Sequence, residues 1–232
     1  MASNRAIYDR AMEQNREAAR QNRWEEALKG AVRALQEFPQ DMDARTAAAV
    51  ALFHTNKLDK ALQILKELHA KDANNPYFLE YLAKTYEGQG NIDAAVQMYQ
   101  SLVEVHQKRH ATVRTISALR EILRLRPDMD AERKRLAQLL QETNALSDAV
   151  AEHMTLARRY RDKGNLDEAA ASTEVALRLE PQNREAKELM SALHEAMARA
   201  AGIEPESSGG EGAEPAFAGT GKLQSSGGSG LR

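Results

Sequence analysis

Apolar positions recur along this chain at helical spacing for about two hundred residues, broken every dozen or so by a turn signal. The stretch Tyr160–Pro181, YRDKGNLDEAAASTEVALRLEP, shows the unit most clearly. Gly164 and Asn165 break one helix. Leu166, Ala169, Ala170, Thr173, Ala176 and Leu177 then mark the buried stripe of a second, and Pro181 stops it because it lacks a backbone donor. The same grammar predicts helices over Asn4–Arg20 and Trp24–Phe38, the latter closed by Pro39. It predicts further helices over Ala44–Asn56, Leu58–Ala70 and Tyr77–Glu87, another from Ile92, and a last one over Arg184–Ala200. Asp41 to Asp43 offer N-cap carboxylates, and Asn75-Pro76 is a cap followed by proline at the first helical position. Eleven helices are expected in all.

A small residue returns on the second helix of each pair. Ala27, Ala61 and Ala95 are spaced 34 residues apart, so three units share one register. The register then slips. Thr115 takes the same role 20 residues after Ala95, Ala149 follows 34 later, and Ala169 a further 20. Residues 91–144 and 145–198 thus look like two copies of a 54-residue, three-helix unit. In each copy the helix beginning near Ile92 or Leu146 would serve twice, closing one pair and opening the next.

The small residue, the turn and the closing proline together resemble the tetratricopeptide repeat, whose period is 34 residues. The resemblance covers about residues 4–200. It implies an all-α fold: a right-handed α-solenoid of stacked antiparallel helix pairs, with a long concave face lined mainly by the first helix of each pair. Such faces hold peptides or partner helices. By analogy with the family the groove would be lined by Asp9, Met12, Glu13 and Arg16, then Asp43, Thr46, Val50 and Phe53, then Tyr77, Glu80, Tyr81 and Lys84, and further on Lys134, Arg135, Gln138 and Gln141. Tyr77 and Tyr81 lie one helical turn apart, which suits a peptide needing both apolar area and hydrogen bonds. Packing of one or both rings between helices is the competing reading. Family members that grip the C-terminal carboxylate of chaperones use a set of lysines, asparagines and an arginine. Here those places hold Met12, Arg16, Ala47, Tyr77 and Tyr81, of which only Arg16 could serve, so chaperone tails are not the expected ligand.

Composition narrows the picture further. Of the 232 residues 28% are charged and only 5% aromatic, as a helical array rather than a large β core requires. With no cysteine, disulfides, thiolate metal sites and thiol nucleophiles are excluded. The net charge of −2 gives no general attraction to nucleic acid or membrane. Neither a signal core nor a run of about 18 apolar residues is found, so a cytoplasmic protein without membrane insertion is expected. From Gly202 onward the composition changes: nine of the 13 glycines lie there, and a disordered Gly/Ser-rich tail is expected over 201–232. Phe217, its one aromatic residue, is either a short docking motif or filler.

One charge anomaly stands out. Between Val105 and Arg135 nine basic residues face four acidic ones, a local net of +5. Lys108, Arg109, Arg114, Arg120 and Arg124 form its candidate patch, for an acidic protein partner or for phosphates. An ordinary solvated face with arginines near helix ends is the bland alternative. No aromatic residues interleave with the basic ones, which speaks against single-strand binding. His106 and His110 have the i, i+4 spacing of a helical metal pair, but no carboxylate accompanies them and a turn falls near His110, so no metal or other cofactor is expected. No glycine-rich phosphate loop, nucleophile elbow or HExxH motif occurs. The expected function is therefore a non-catalytic scaffold or adaptor that holds a partner peptide or helix. The alternative is an assembly or regulatory module of a larger complex using the basic 105–135 surface.

Overall fold

In the computed structural model the described residues are 2–202; the stretch beyond, with its expected disorder and Phe217, lies outside them. Among the described residues all regular structure is helical. The eleven helices are α1 (Ala2–Arg20), α2 (Trp24–Glu37), α3 (Met42–His54), α4 (Leu58–Lys71), α5 (Pro76–Gly88), α6 (Ile92–Lys108), α7 (Thr112–Leu125), α8 (Asp130–Glu142), α9 (Leu146–Asp162), α10 (Leu166–Leu179) and α11 (Arg184–Ala200). Each packs on its neighbours in sequence, and α3 also touches α1 and α5, as expected of a solenoid of stacked antiparallel pairs. The stack is unbroken at Gln107, where α6 runs on and then packs against α7.

Two kinds of helix end recur, and both are dictated locally. The first is a left-handed residue with φ between +53° and +81°: Asn22, Asn56, Gly90, His110, Asn144 and Gly164. The amide after each one reaches back five residues, as in Arg23→Ala18 and Asn165→Tyr160 at 2.8 and 2.9 Å. That closure satisfies carbonyls the helix would otherwise leave orphaned. Asparagine and glycine tolerate this conformation best, which is why the turn signals were visible in the sequence. The second is an extended residue near φ −134° to −143° and ψ 83° to 86°: Phe38, Asp72, Arg126 and Glu180. Three of these precede Pro39, Pro127 and Pro181, which exclude the helical region for the residue before them.

The small residues sit where helices cross. Ala27, Ala61, Ala95, Ala149 and Ala169 have no exposed surface, and Thr115 is equally buried with its hydroxyl donating to the Ala111 carbonyl at 3.2 Å. A closer crossing was not anticipated. A Cβ on Gly30 would lie 2.8 Å from the Ala11 carbonyl oxygen and 2.9 Å from the Asn15 nitrogen, so α1 and α2 touch backbone to backbone there. Asn15 completes that junction by donating to the Ala27 carbonyl at 2.7 Å. Tyr8 of α1 donates to Asp41 at 2.6 Å, the same carboxylate that caps α3 through Ala44. Burial first, and then this bond, pushes the Tyr8 hydroxyl pKa up to about 12.

The largest contiguous core lies at the middle of the stack. Leu79, Tyr99, Leu102, Leu119, Ile122, Leu136 and Leu140 from α5 to α8 form it with their smaller neighbours and reach Ala149 of α9. Ion pairs reinforce the α8–α9 junction: Arg133 with Glu152 at 2.6 Å, and Asp130 with both Arg159 and Lys163. Burial alone would raise the Asp130 carboxyl, but hydrogen bonds from Lys163 and Arg159 outweigh it and hold the group below its usual range.

Candidate functional site

The faces of α1, α3 and α5 meet in one groove of about 460 Å³. Met12 and Arg16 of α1, Val50 of α3, and Tyr77 and Tyr81 of α5 all line it, joined by Asn15, Trp24, Asp43 and Thr46. Seven of the expected groove residues, Asp43 and Thr46 among them, are thus brought together. Their roles differ. Met12 is 4% and Val50 8% exposed, so both form floor rather than wall, because the helix crossings of the first units are Ala-rich and leave them little solvent. Tyr77 is 43% exposed and stands at the rim.

The aromatic residues form a chain across this face. Tyr77 and Tyr81 are 4.8 Å apart between ring centroids, Tyr81 meets Phe53 edge-on at 5.6 Å, and the Lys84 ammonium sits 5.7 Å over the Tyr81 ring. Phe53 is half-buried beneath them and joins a core cluster with Leu52 and Leu65 instead of facing the groove directly. Trp24 lies flat on His54 at 3.8 Å. Burial, with the neighbouring Tyr81 second, raises the Tyr77 hydroxyl, so it is a neutral donor at physiological pH. Tyr77 also forms a wall of a second cleft of about 390 Å³, between α5, α6 and α7, where Glu80 and Lys84 are found paired at 2.5 Å. Tyr99, Leu102, His106 and Arg114 complete that second cleft. Sequence reasoning placed Arg114 in the basic patch and weighed His106 as half of a metal pair, but did not bring the four together. The visible signal was the 54-residue spacing that pairs Tyr99 with His153 and His106 with Tyr160.

The α8 residues are elsewhere. Lys134 lines a third, smaller cleft of about 190 Å³ with His153, Leu156, Tyr160 and Glu168. Arg135 donates to Gln107 of α6, and Gln138 is exposed. The structure does not bring these three to the α1–α3–α5 groove.

Most of the arginines in the basic stretch have partners. Arg120 pairs with Asp148 at 2.6 Å, Arg124 with Glu87 and Glu121 at 2.8 Å, and Arg126 with Asp93. Arg109 donates to the Asn74 carbonyl at 3.1 Å. Lys108 and Arg114 are exposed and make no ion pair among the described residues. His106 is buried on α6 while His110 occupies the left-handed turn after it, so the two do not share a helix. Burial, followed by the fields of Arg114 and Arg109, lowers the His106 pKa. Among the described residues no group of three or more His, Asp or Glu side chains could hold a metal, and no helix is long and apolar enough to cross a membrane.

The geometry is that of a helical repeat protein with an aromatic-lined groove along one face. Residues 18–80 and 57–116 each match the family model described as tetratricopeptide repeat. Residues 18–116 are thus matched as tetratricopeptide repeats, a fold of protein interaction. No curated protein matches it in sequence. Among solved structures it is similar to Pseudomonas aeruginosa pilF, at 17% identity and a TM-score of 0.40, over 82% of this chain and 99% of that one. It is also similar to a thermophilic tetratricopeptide repeat protein of Thermus thermophilus, TTC0263, at 19% identity and 0.35, over 81% and 98% of the two chains. Yeast Tom70 aligns at 16% identity and 0.44, over 87% of this chain and 42% of that one.

Proposed function

We propose that this protein is a non-catalytic, cytoplasmic scaffold that holds a partner peptide or helix in the groove between α1, α3 and α5. The observation that carries this reading is the exposed aromatic rim above an apolar floor: Tyr77 on Tyr81, with Lys84 over the ring and Met12 and Val50 beneath. Large amphipathic rings at a rim give contact area at small entropic cost, and a neutral tyrosine hydroxyl can donate to a peptide carbonyl. Arg16 has only an exposed contact to Glu13 at 3.1 Å, so it is available to a ligand carboxylate. One available cation does not make a clamp for chaperone C-terminal tails, which are not part of this proposal.

The unit boundaries belong to the same reading. The stack divides into 34-residue pairs up to about residue 107, and into three-helix units over 91–144 and 145–198. What supports the division is the spacing of the left-handed turns, 34, 34, 20, 34 and 20 residues from Asn22 to Gly164. The test of the groove is capture of partners from the source lysate by the wild-type chain and by Tyr77→Ala with Tyr81→Ala. The double variant should keep its helical circular dichroism and lose at least about tenfold in captured partner, given the roughly 2 kcal/mol typical of a buried aromatic anchor. Full capture by a folded double variant rules the groove out.

A second reading rests on Lys108 and Arg114, whose charges are unpaired among the described residues. They would let the α6–α7 surface meet an acidic protein partner; the paired state of Arg120, Arg124 and Arg126 leaves little for nucleic-acid phosphates.

A further inference from the structure

The cleft between α5, α6 and α7 has a twin. Every residue lining the small cleft of α8, α9 and α10 has a counterpart 54 positions earlier lining the larger one. Leu102 corresponds to Leu156, His106 to Tyr160 and Arg114 to Glu168. The cleft therefore recurs with the 54-residue period and is not a chance gap in packing. The two copies share an apolar floor and differ at the rim. Arg114 of the first is Glu168 in the second, and Glu80 of the first is Lys134.

The net sign of the first cleft follows from its pairings. Glu80 is tied to Lys84, and Glu121 to Arg124, so neither carboxylate is free to repel an anion. Arg114 has no such partner among the described residues, and Arg109 stands at the same end of α6, held only by a carbonyl. Of the two guanidiniums, that of Arg114 lines the cleft itself. An apolar pocket of about 390 Å³ with a cationic rim fits an apolar side chain flanked by carboxylates.

This chain carries such a segment. From Glu204 to Glu214 four glutamates occur with no lysine or arginine, and Phe217 follows. We infer that the α5–α6–α7 cleft is a docking site for an acidic, aromatic-bearing segment, and that residues 204–217 of this same chain are its occupant. The reach suffices. The fifteen residue-to-residue steps from Gly202 to Phe217 span about 50 Å when extended. Four helix-packing steps from α11 back to α7 cover at most about 40 Å. The twin cleft is nearer along the stack, but Glu168 in the place of Arg114 offsets Lys134 and leaves that rim without net positive charge.

The test uses the full chain and a fluorescein-labelled synthetic peptide copying residues 204–219, read by anisotropy at low salt. A tethered copy at millimolar effective concentration competes with the free peptide. The wild-type chain should therefore bind the peptide at least about fivefold more weakly than a chain carrying Glu211→Gln, Glu214→Gln and Phe217→Ala. Adding Arg114→Glu to that variant should cut binding about tenfold, whereas Glu168→Arg should not weaken it. If Arg114→Glu loses helical circular dichroism, Arg114→Gln replaces it, with a smaller loss expected. Absence of binding to the tail variant up to millimolar peptide overturns the site. So does unchanged binding in a folded Arg114 variant. Equal binding by wild type and tail variant overturns the occupant and points to an acidic segment of another protein. The probe is the chain's own segment, so these outcomes are separate from partner capture by the α1–α3–α5 groove.

Discussion

His153 and Tyr99 occupy the same place in the two three-helix units, and the exchange has a measurable consequence. His153 is buried on α9, with its Nε2 2.5 Å from the Gln141 amide and its Nδ1 without a partner. Burial, and Lys134 after it, lowers its pKa; His106 is lowered likewise by burial, Arg114 and Arg109. Both imidazoles are harder to protonate in the folded chain than in the unfolded one. Below about pH 6.5 the unfolded chain takes up protons that the folded one resists. Their contribution is intact above that pH and is lost as pH falls from 6.5 toward the lowered folded values. At pH 5.5 the loss is at most about 1.4 kcal/mol for each imidazole. The melting midpoint should therefore fall between pH 7.5 and 5.5, and His153→Tyr should shrink the fall. The Asp130 pairs do not enter, because that carboxyl titrates below its usual range. A drop unchanged by the substitution assigns the effect elsewhere. Sequence spacing located the buried small residues but not Gly30 or Tyr8, since one depends on backbone contact between helices and the other on a hydrogen bond across 33 residues.

The helices α6 and α9 explain why the repeat register slips. Each begins as a second helix of a pair, with Ala95 or Ala149 at the crossing, and ends like a first helix, in the left-handed turn at His110 or Gly164. Both are 17 residues long, whereas α4, α7 and α10 have 14. The added turn gives α6 a second buried face: Tyr99, Leu102, Val103, Val105 and His106 are all covered. This much was legible, because spacing of turns and small residues is a property of the local sequence. The clefts were not, since they form where side chains of three helices fail to fill the space between them. At His110 the chain uses a β-carbon where Gly164 has none, and φ is +53°. Relief of that strain outweighs the extra freedom glycine gives the unfolded chain. His110→Gly should stabilise by about 0.5–1 kcal/mol in urea denaturation, with Asn144→Gly closer to neutral because asparagine tolerates the conformation. A destabilised His110→Gly would mean that the imidazole makes a contact worth more than the strain.

At the scale of the whole stack the core is unevenly distributed, and stability should follow it. The central cluster is rich in leucine, isoleucine and tyrosine from α5 to α8. The first units are buried largely through alanine, at Ala11, Ala34 and Ala44 and at Ala18, Ala27 and Ala51. The last unit relies on Ala157, Ala169, Ala176 and Ala186, with Leu189 and Leu193 from α11. A buried leucine contributes about 1.5–3 kcal/mol by removal from water, and an alanine a small fraction of that. In a stack where each helix is held mainly by its neighbours, the ends can open without the middle. Native-state hydrogen exchange should show the strongest protection in α5 to α8, with weaker protection in α1–α2 and α10–α11 that falls away at lower denaturant. The aromatic rim of the groove then sits on α5, at the edge of the firmest region, while α1 supplies a looser opposite wall able to adjust to a ligand. Uniform protection across all eleven helices would instead mean that the chain opens only as one cooperative unit, and that α1 is as fixed as α5.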